Sequence, residues 1–156
     1  MKKRSFWTTL ATLGPIGYTI APGTMATVLT LPFVYWMRLS IQDEWHYAVM
    51  IVLFFVFSFI CVERALTYFP GQRDPSAIVL DECLGTLLTF YSVSPHLQWF
   101  IIGFLLFRTI DILKPFGIRK CEMLIGAWGV MLDDVLAGVL TNIILQLSYR
   151  YLPVIF

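Results

Sequence analysis

The sequence predicts an all-α fold: a multihelical integral membrane bundle of about five spanning helices, preceded by a short N-terminal re-entrant or interfacial segment. Of its 156 residues, 58% are hydrophobic and only 13% are charged, against about 25% charged in soluble globular domains. Uninterrupted apolar runs approach the ~20 residues that cross a bilayer, and turn residues separate them. Acidic and basic residues are threaded through those runs, where each costs several kcal/mol unless compensated. No internal repeat, low-complexity tract or linker divides the chain, so residues 1–156 are expected to form one membrane-embedded domain.

Residues 5–21 are apolar but broken by Gly14, Pro15 and Gly17, which suits a surface-lying or re-entrant piece better than a span. Lys2-Lys3-Arg4 and the apolar stretch after it imitate a secretory signal, but Gly14-Pro15 interrupts the run and no cleavage site is expected. Pro22-Gly23-Thr24 opens the run TMATVLTLPFVYWM, which ends at Arg38. Pro32 is tolerable inside it, because neighbours in a membrane bundle satisfy the freed backbone groups. Residues 47–62 carry no charge and, with their flanks, are long enough to span. A polar stretch follows, with turn signals at Pro70-Gly71 and Asp74-Pro75. Then come 77–93, 97–113, ended by Lys114-Pro115, and a last run over about 126–149. Proline disfavours helix at the residue before it.

Cytoplasmic loops hold the excess of Lys and Arg. With the N-terminus inside and five crossings, all the basic residues except Arg38 and Arg150 fall on the cytoplasmic face. That topology also brings Asp81-Glu82, Arg108-Asp111 and Asp133-Asp134 to one depth, which the orientation rule did not assume. Net charge is +1 and the longest basic tract is Lys2-Lys3-Arg4, so a nucleic-acid partner is not expected. Cys61, Cys83 and Cys121 lack CxxC spacing and read as small apolar fillers. Oligomeric state is not legible.

Adjacent acids in an apolar helix need a counter-charge, and a structural ion pair would need only one of them. Gly85 lies four residues after Asp81, Ala137 four after Asp133 and Gly138 four after Asp134. Residues at i and i+4 share a helix face, and small residues mark faces where membrane helices approach closely. The carboxylates are therefore expected inside the bundle. Oxygen donors without zinc-type nitrogen or sulfur suit Mg2+, which leaves positions for water and substrate phosphate. Asp81, Glu82, Asp133 and Asp134 are the expected metal ligands. Arg108 and Lys114 would hold phosphate oxygens, together with the backbone N–H groups of Gly23 and Thr24 at a helix start. His46 and His96 fall in the turns of the opposite side, and Arg119, Lys120 and Glu122 read as solvated charges.

APGTMAT, IVLDECLG, FRTIDILKPFGIR and GAWGVMLDDVLAG, in this order between about Gly14 and Leu140, resemble the bacterial phosphatidylglycerophosphatase A family. The chain departs from it at Met25-Ala26-Thr27, where the family often has xGS after the Gly-Thr pair, and at Gly126-Ala127, often Gly-Gly. The resemblance implies a multi-pass, Mg2+-dependent phosphatase of the bacterial cytoplasmic (inner) membrane, with its site facing the cytoplasm. It would take phosphatidylglycerophosphate, among membrane lipids, to phosphatidylglycerol. By motif it points to Gly23, Thr24, Asp81, Glu82, Arg108, Asp111, Lys114, Asp133 and Asp134. Asp111 would be the base or the orienter of Arg108, and Lys114 would stabilise or protonate the leaving alkoxide. Attack by water and an aspartyl-phosphate intermediate both fit the residues. A cation- or proton-coupled small transporter also buries such charges, although transporters tend to carry repeated halves. A lipid-phosphate transferase and a non-catalytic scaffold are the remaining rivals.

Overall fold

A computed structural model describes residues 5–151, the side chains of Glu122 and Tyr151 excepted; Lys2, Lys3 and Arg4, which entered the orientation argument, lie outside the described residues. Six α-helices and two 3₁₀ segments make up the fold, with no strand among the described residues. Helix α1 (Phe6–Ala11) is a six-residue piece, halted by left-handed backbone at Leu13 and Gly14, and a 3₁₀ turn, Ile16–Tyr18, follows. At about 9 Å it is far too short to cross a bilayer, as the broken sequence predicts.

The longer helices are α2 (Pro22–Ser40), with Pro32 inside it, α3 (Glu44–Leu66), α5 (Leu97–Leu113) and α6 (Ala127–Tyr151). Asp43 starts α3 by accepting a hydrogen bond from the Trp45 amide at 2.9 Å. That amide and the His46 ring hold its carboxyl below the usual aspartate range. Glu63 of α3 reaches the first amide of α6, Ala127 N, at 2.7 Å and fixes where α6 begins.

Helix α4 (Leu80–Thr89) departs from expectation. The spanning helix read over 77–93 is ten residues long, about 15 Å, and covers only half of a ~30 Å hydrocarbon core. Nearly all of it is buried, and α6 packs along it. Its final carbonyls find side-chain donors: Tyr47 Oη donates to Leu87 O at 3.1 Å, and Asn142 Nδ2 donates to Thr89 O and Tyr91 O at 2.9 and 2.6 Å. A helix can end inside the bundle only when its freed backbone groups are satisfied in this way. The chain still reaches the far end irregularly, where the Val93 carbonyl accepts from Arg38 Nε at 3.1 Å beside the Arg38–Glu44 ion pair.

The core is built on Tyr47, Leu84, Phe90, Phe107, Met131 and Leu145. Polarity is inverted relative to a soluble bundle, because four aspartates are buried while Val52 and Leu53 of α3, Ile101 and Leu105 of α5 and Ile143 of α6 lie exposed. Exposed apolar surface on this scale is consistent with a membrane protein. By length and hydropathy α3 and α6 are each sufficient to cross a membrane. Of the five spans expected, two helices among the described residues are long and apolar enough to cross, and α4 is too short to be another.

Candidate active site

The sequence places charges in three helices, at or within about two turns of an end, and the fold brings them together. Asp81 and Glu82 occupy the first turn of α4, where the positive end of the helix dipole favours acids. Arg108 and Asp111 lie in the last turns of α5, and Lys114 is its left-handed C-cap (φ 45°), turned out of the helix before Pro115. Asp133 and Asp134 lie about two turns into α6, downstream of the start that Glu63 fixes. All nine residues singled out in the sequence line one cavity of about 390 Å³.

Close backbone approach sets the depth of this cavity. A Cβ on Gly138 would sit 2.5 Å from the Gly85 carbonyl, and one on Gly85 2.9 Å from the Asp134 carbonyl. Helices α4 and α6 therefore cross backbone against backbone one turn beyond the acids, as the small-residue spacing predicts. Successive residues on a helix point about 100° apart, so the two acids of α6 diverge. Asp134 faces α4, and the oxygens of Asp81, Glu82 and Asp134 lie within 4.8 Å of one another. Asp133 turns the other way and pairs with Lys114. Of the four expected metal ligands, three form one cluster, and the fourth holds a lysine.

Arg108 Nη1 donates to Asp111 Oδ2 at 2.6 Å, an i,i+3 pair that aims the guanidinium. The remaining polar atoms are poorly served. Among the described residues Asp81 Oδ1, Glu82 Oε2, Asp133 Oδ1 and Arg108 Nε are buried without a hydrogen-bond partner. Buried groups of this kind normally find one, so several orphans around one cavity mark a place built for something further.

Helix α2 closes the cavity with its N-terminus. Pro22 occupies the first helical position, and the Met25 amide is the first to bond back, to Ala21 O at 3.0 Å. The Gly23 and Thr24 amides are left outside the helical ladder. A Cβ on Gly23 would overlap the Glu82 carboxylate and lie 3.0 Å from Arg108 Nη2. Gly23→Ala is therefore expected to lower turnover roughly 10²-fold by displacing those groups, without lowering thermal stability, since alanine is the better helix former. Turnover and unfolding temperature measured on one preparation check this, and undiminished turnover would remove Gly23 from the site.

Asp74 and Ser76, in the loop before α4, also line the cavity and were not anticipated. A carboxylate in a polar loop carries no signal comparable to one inside an apolar run. His46 pairs with Asp43 at 2.7 Å at the other end of the bundle, and Arg119 and Lys120 are exposed, as the sequence suggests. All three cysteines are free.

The profile of the family described as Phosphatidylglycerophosphatase A matches residues 9–149. A Bacteroides thetaiotaomicron protein named as a candidate phosphatidylinositol-3-phosphatase is 36% identical over 95% of this chain and 97% of its own length. Phosphatidylglycerophosphatase A of Escherichia coli is 31% identical over 86% of this chain and 77% of its own, and that of Haemophilus influenzae is 42% identical over 47% of each. No solved structure matches the chain.

Proposed function

The chain belongs to the phosphatidylglycerophosphatase A family and is a phosphatase, and from that premise we propose that it hydrolyses the terminal phosphomonoester of phosphatidylglycerophosphate with Mg2+ in its carboxylate cavity. One observation carries the reading. Among the described residues lining the cavity, six carboxyl side chains, those of Asp74, Asp81, Glu82, Asp111, Asp133 and Asp134, stand beside two basic ones, Arg108 and Lys114, where an anionic phosphate has to be admitted. Divalent cation is the simplest way to reverse that balance.

The donor set fits Mg2+. Among the described residues it consists of three carboxyl side chains that each bring an oxygen into one cluster, with no nitrogen or sulfur ligand, and Asp81 and Glu82 each have one buried unpartnered oxygen. Asp81, Glu82 and Asp134 would hold the ion, which when bound neutralises the acids, orients a phosphate and acidifies a water.

The chain's own groups do the rest. Asp111 occupies Nη1 of Arg108, so the guanidinium is held in one orientation, with Nε lacking a partner among the described residues and left for a non-bridging phosphate oxygen. This arrangement supports Asp111 as orienter of Arg108. The Gly23 and Thr24 amides bind the same phosphate from α2. Asp133 steadies Lys114, whose ammonium can give a proton to the departing glycerol oxygen as water forms the new bond to phosphorus. The products are phosphatidylglycerol and inorganic phosphate.

In this reading residues 1–156 form one domain of the bacterial cytoplasmic membrane, crossing it several times, with the cavity on the cytoplasmic side where the lipid's phosphate lies. The exposed apolar faces of α3, α5 and α6 and the length of α3 and α6 support that placement.

A second head group deserves a direct comparison because the Bacteroides relative matches along nearly the whole chain. Purified protein is expected to release phosphate from phosphatidylglycerophosphate at least ~10-fold faster, by kcat/KM, than from phosphatidylinositol 3-phosphate, about 1.4 kcal/mol of discrimination. The reverse preference would change the assigned substrate. Cation-driven uptake into vesicles without phosphate release would favour the transporter.

A further inference from the structure

We propose that the furrow between α2 and α5 binds an acyl chain of the lipid whose phosphate is cleaved. This rests on the lipid-phosphatase reading and adds where the apolar half of the substrate lies. The furrow encloses about 530 Å³ and is lined only by apolar and aromatic side chains, among them Val28, Leu31 and Tyr35 of α2 and Phe100, Ile101 and Leu105 of α5.

Its walls continue those of the polar cavity. Along α2, Thr24 lines the cavity, and Val28, Leu31 and Tyr35 follow at four, seven and eleven residues, which keeps one helix face. Helix α5 runs the other way, and Ile112 and Arg108 in the cavity are followed by Leu105 and Ile101 in the furrow at the same kind of spacing. A lipid held by its phosphate at Thr24 and Arg108 thus has an apolar track leading directly away from it.

The dimensions agree with one leaflet. Eleven residues of helix from Thr24 to Tyr35 rise about 16 Å, against ~15 Å for half of a hydrocarbon core. A fixed base ends the track there: Tyr35 meets Phe100 edge to face at 5.2 Å, and Phe100, itself buried, stacks on Phe90 at 4.2 Å. The rim is open to lipid, since Val28, Ile101 and Leu105 are about half exposed.

A helix from a second copy is a poorer occupant. Membrane helices associate through small residues that let backbones approach, and none of the residues lining the furrow is Gly, Ala, Ser or Thr.

Val28→Trp and Ile101→Trp, which fill the furrow, test the proposal against Leu53→Trp on the exposed face of α3. The readout is phosphate release from dipalmitoyl and from dihexanoyl phosphatidylglycerophosphate. Both furrow variants are expected to raise KM for the long-chain lipid ~10-fold relative to the short-chain one, with kcat within about twofold. Leu53→Trp should leave the ratio unchanged. An unchanged ratio in the furrow variants, or equal losses on both lipids, would overturn the proposal. So would a shift from dimer to monomer in detergent with the ratio intact, which would assign the furrow to a second copy. If unaltered protein released no phosphate from either lipid, the phosphatase reading itself would fail and take this proposal with it.

Discussion

Asp134→Asn is expected to reduce phosphate release by about three orders of magnitude, some 4 kcal/mol of transition-state stabilisation, while the protein stays folded in the membrane. The two outcomes have separate causes. Asn preserves the shape and the hydrogen-bonding reach of the side chain, so the tight crossing of α4 over α6 at Gly85 and Gly138 is untouched. What disappears is one of three carboxyl groups that each bring an oxygen within 4.8 Å of the others. In metal-free protein that change thins out a crowded acidic group, since neutral Asn does not repel the neighbouring carboxyls of Asp81 and Glu82. The variant should therefore unfold at the same or a higher temperature than the unaltered chain in chelator, yet turn over almost no substrate. Phosphate release and detergent-solubilised thermal unfolding measure both. Turnover within tenfold of the unaltered protein would take Asp134 out of the cluster.

Much of this site was legible in the sequence because a charge in an apolar run has a cost that only a partner can offset. That logic picks out Asp81, Glu82, Arg108, Asp111, Asp133 and Asp134, and all of them line one cavity. The i+4 spacing to Gly85 and Gly138 also identifies which helix faces meet. The logic is silent where polarity is unremarkable, which is why Asp74 and Ser76 of the loop, and Glu63 of α3, which caps the start of α6, were missed.

Adjacency hid a second distinction. Asp133 and Asp134 look equivalent in sequence, but the turn of the helix gives one to the carboxylate cluster and the other to Lys114. The extent of α4 was misread for a different reason. A continuous apolar run cannot reveal that Tyr47 and Asn142, distant in sequence, will cap a helix at half height. Local pattern sets which residues are helical by preference, and tertiary partners decide where a buried helix can stop.

Removal of divalent cation is expected to abolish turnover, and Mg2+ to restore it. Six carboxyl side chains against Arg108 and Lys114 leave the cavity with an excess of acidic groups, and a phosphomonoester brings further negative charge to the same place. The two basic side chains cannot counter this, because each already faces an acid: Arg108 is engaged with Asp111 and Lys114 with Asp133. Chelation should therefore impair binding as well as the chemical step, raising KM and lowering kcat together. An independent readout follows from linkage. An ion that binds only the folded cluster stabilises it by about 2.7 kcal/mol at a hundredfold excess over Kd, so Mg2+ should raise the unfolding temperature of the unaltered protein. The same addition should do much less for Asp134→Asn, whose cluster has lost a ligand. If turnover survived exhaustive chelation and Mg2+ left the unfolding temperature unmoved, the acids would have to be balanced by groups within the chain. The unpartnered oxygens of Asp81 and Glu82 would then need another explanation.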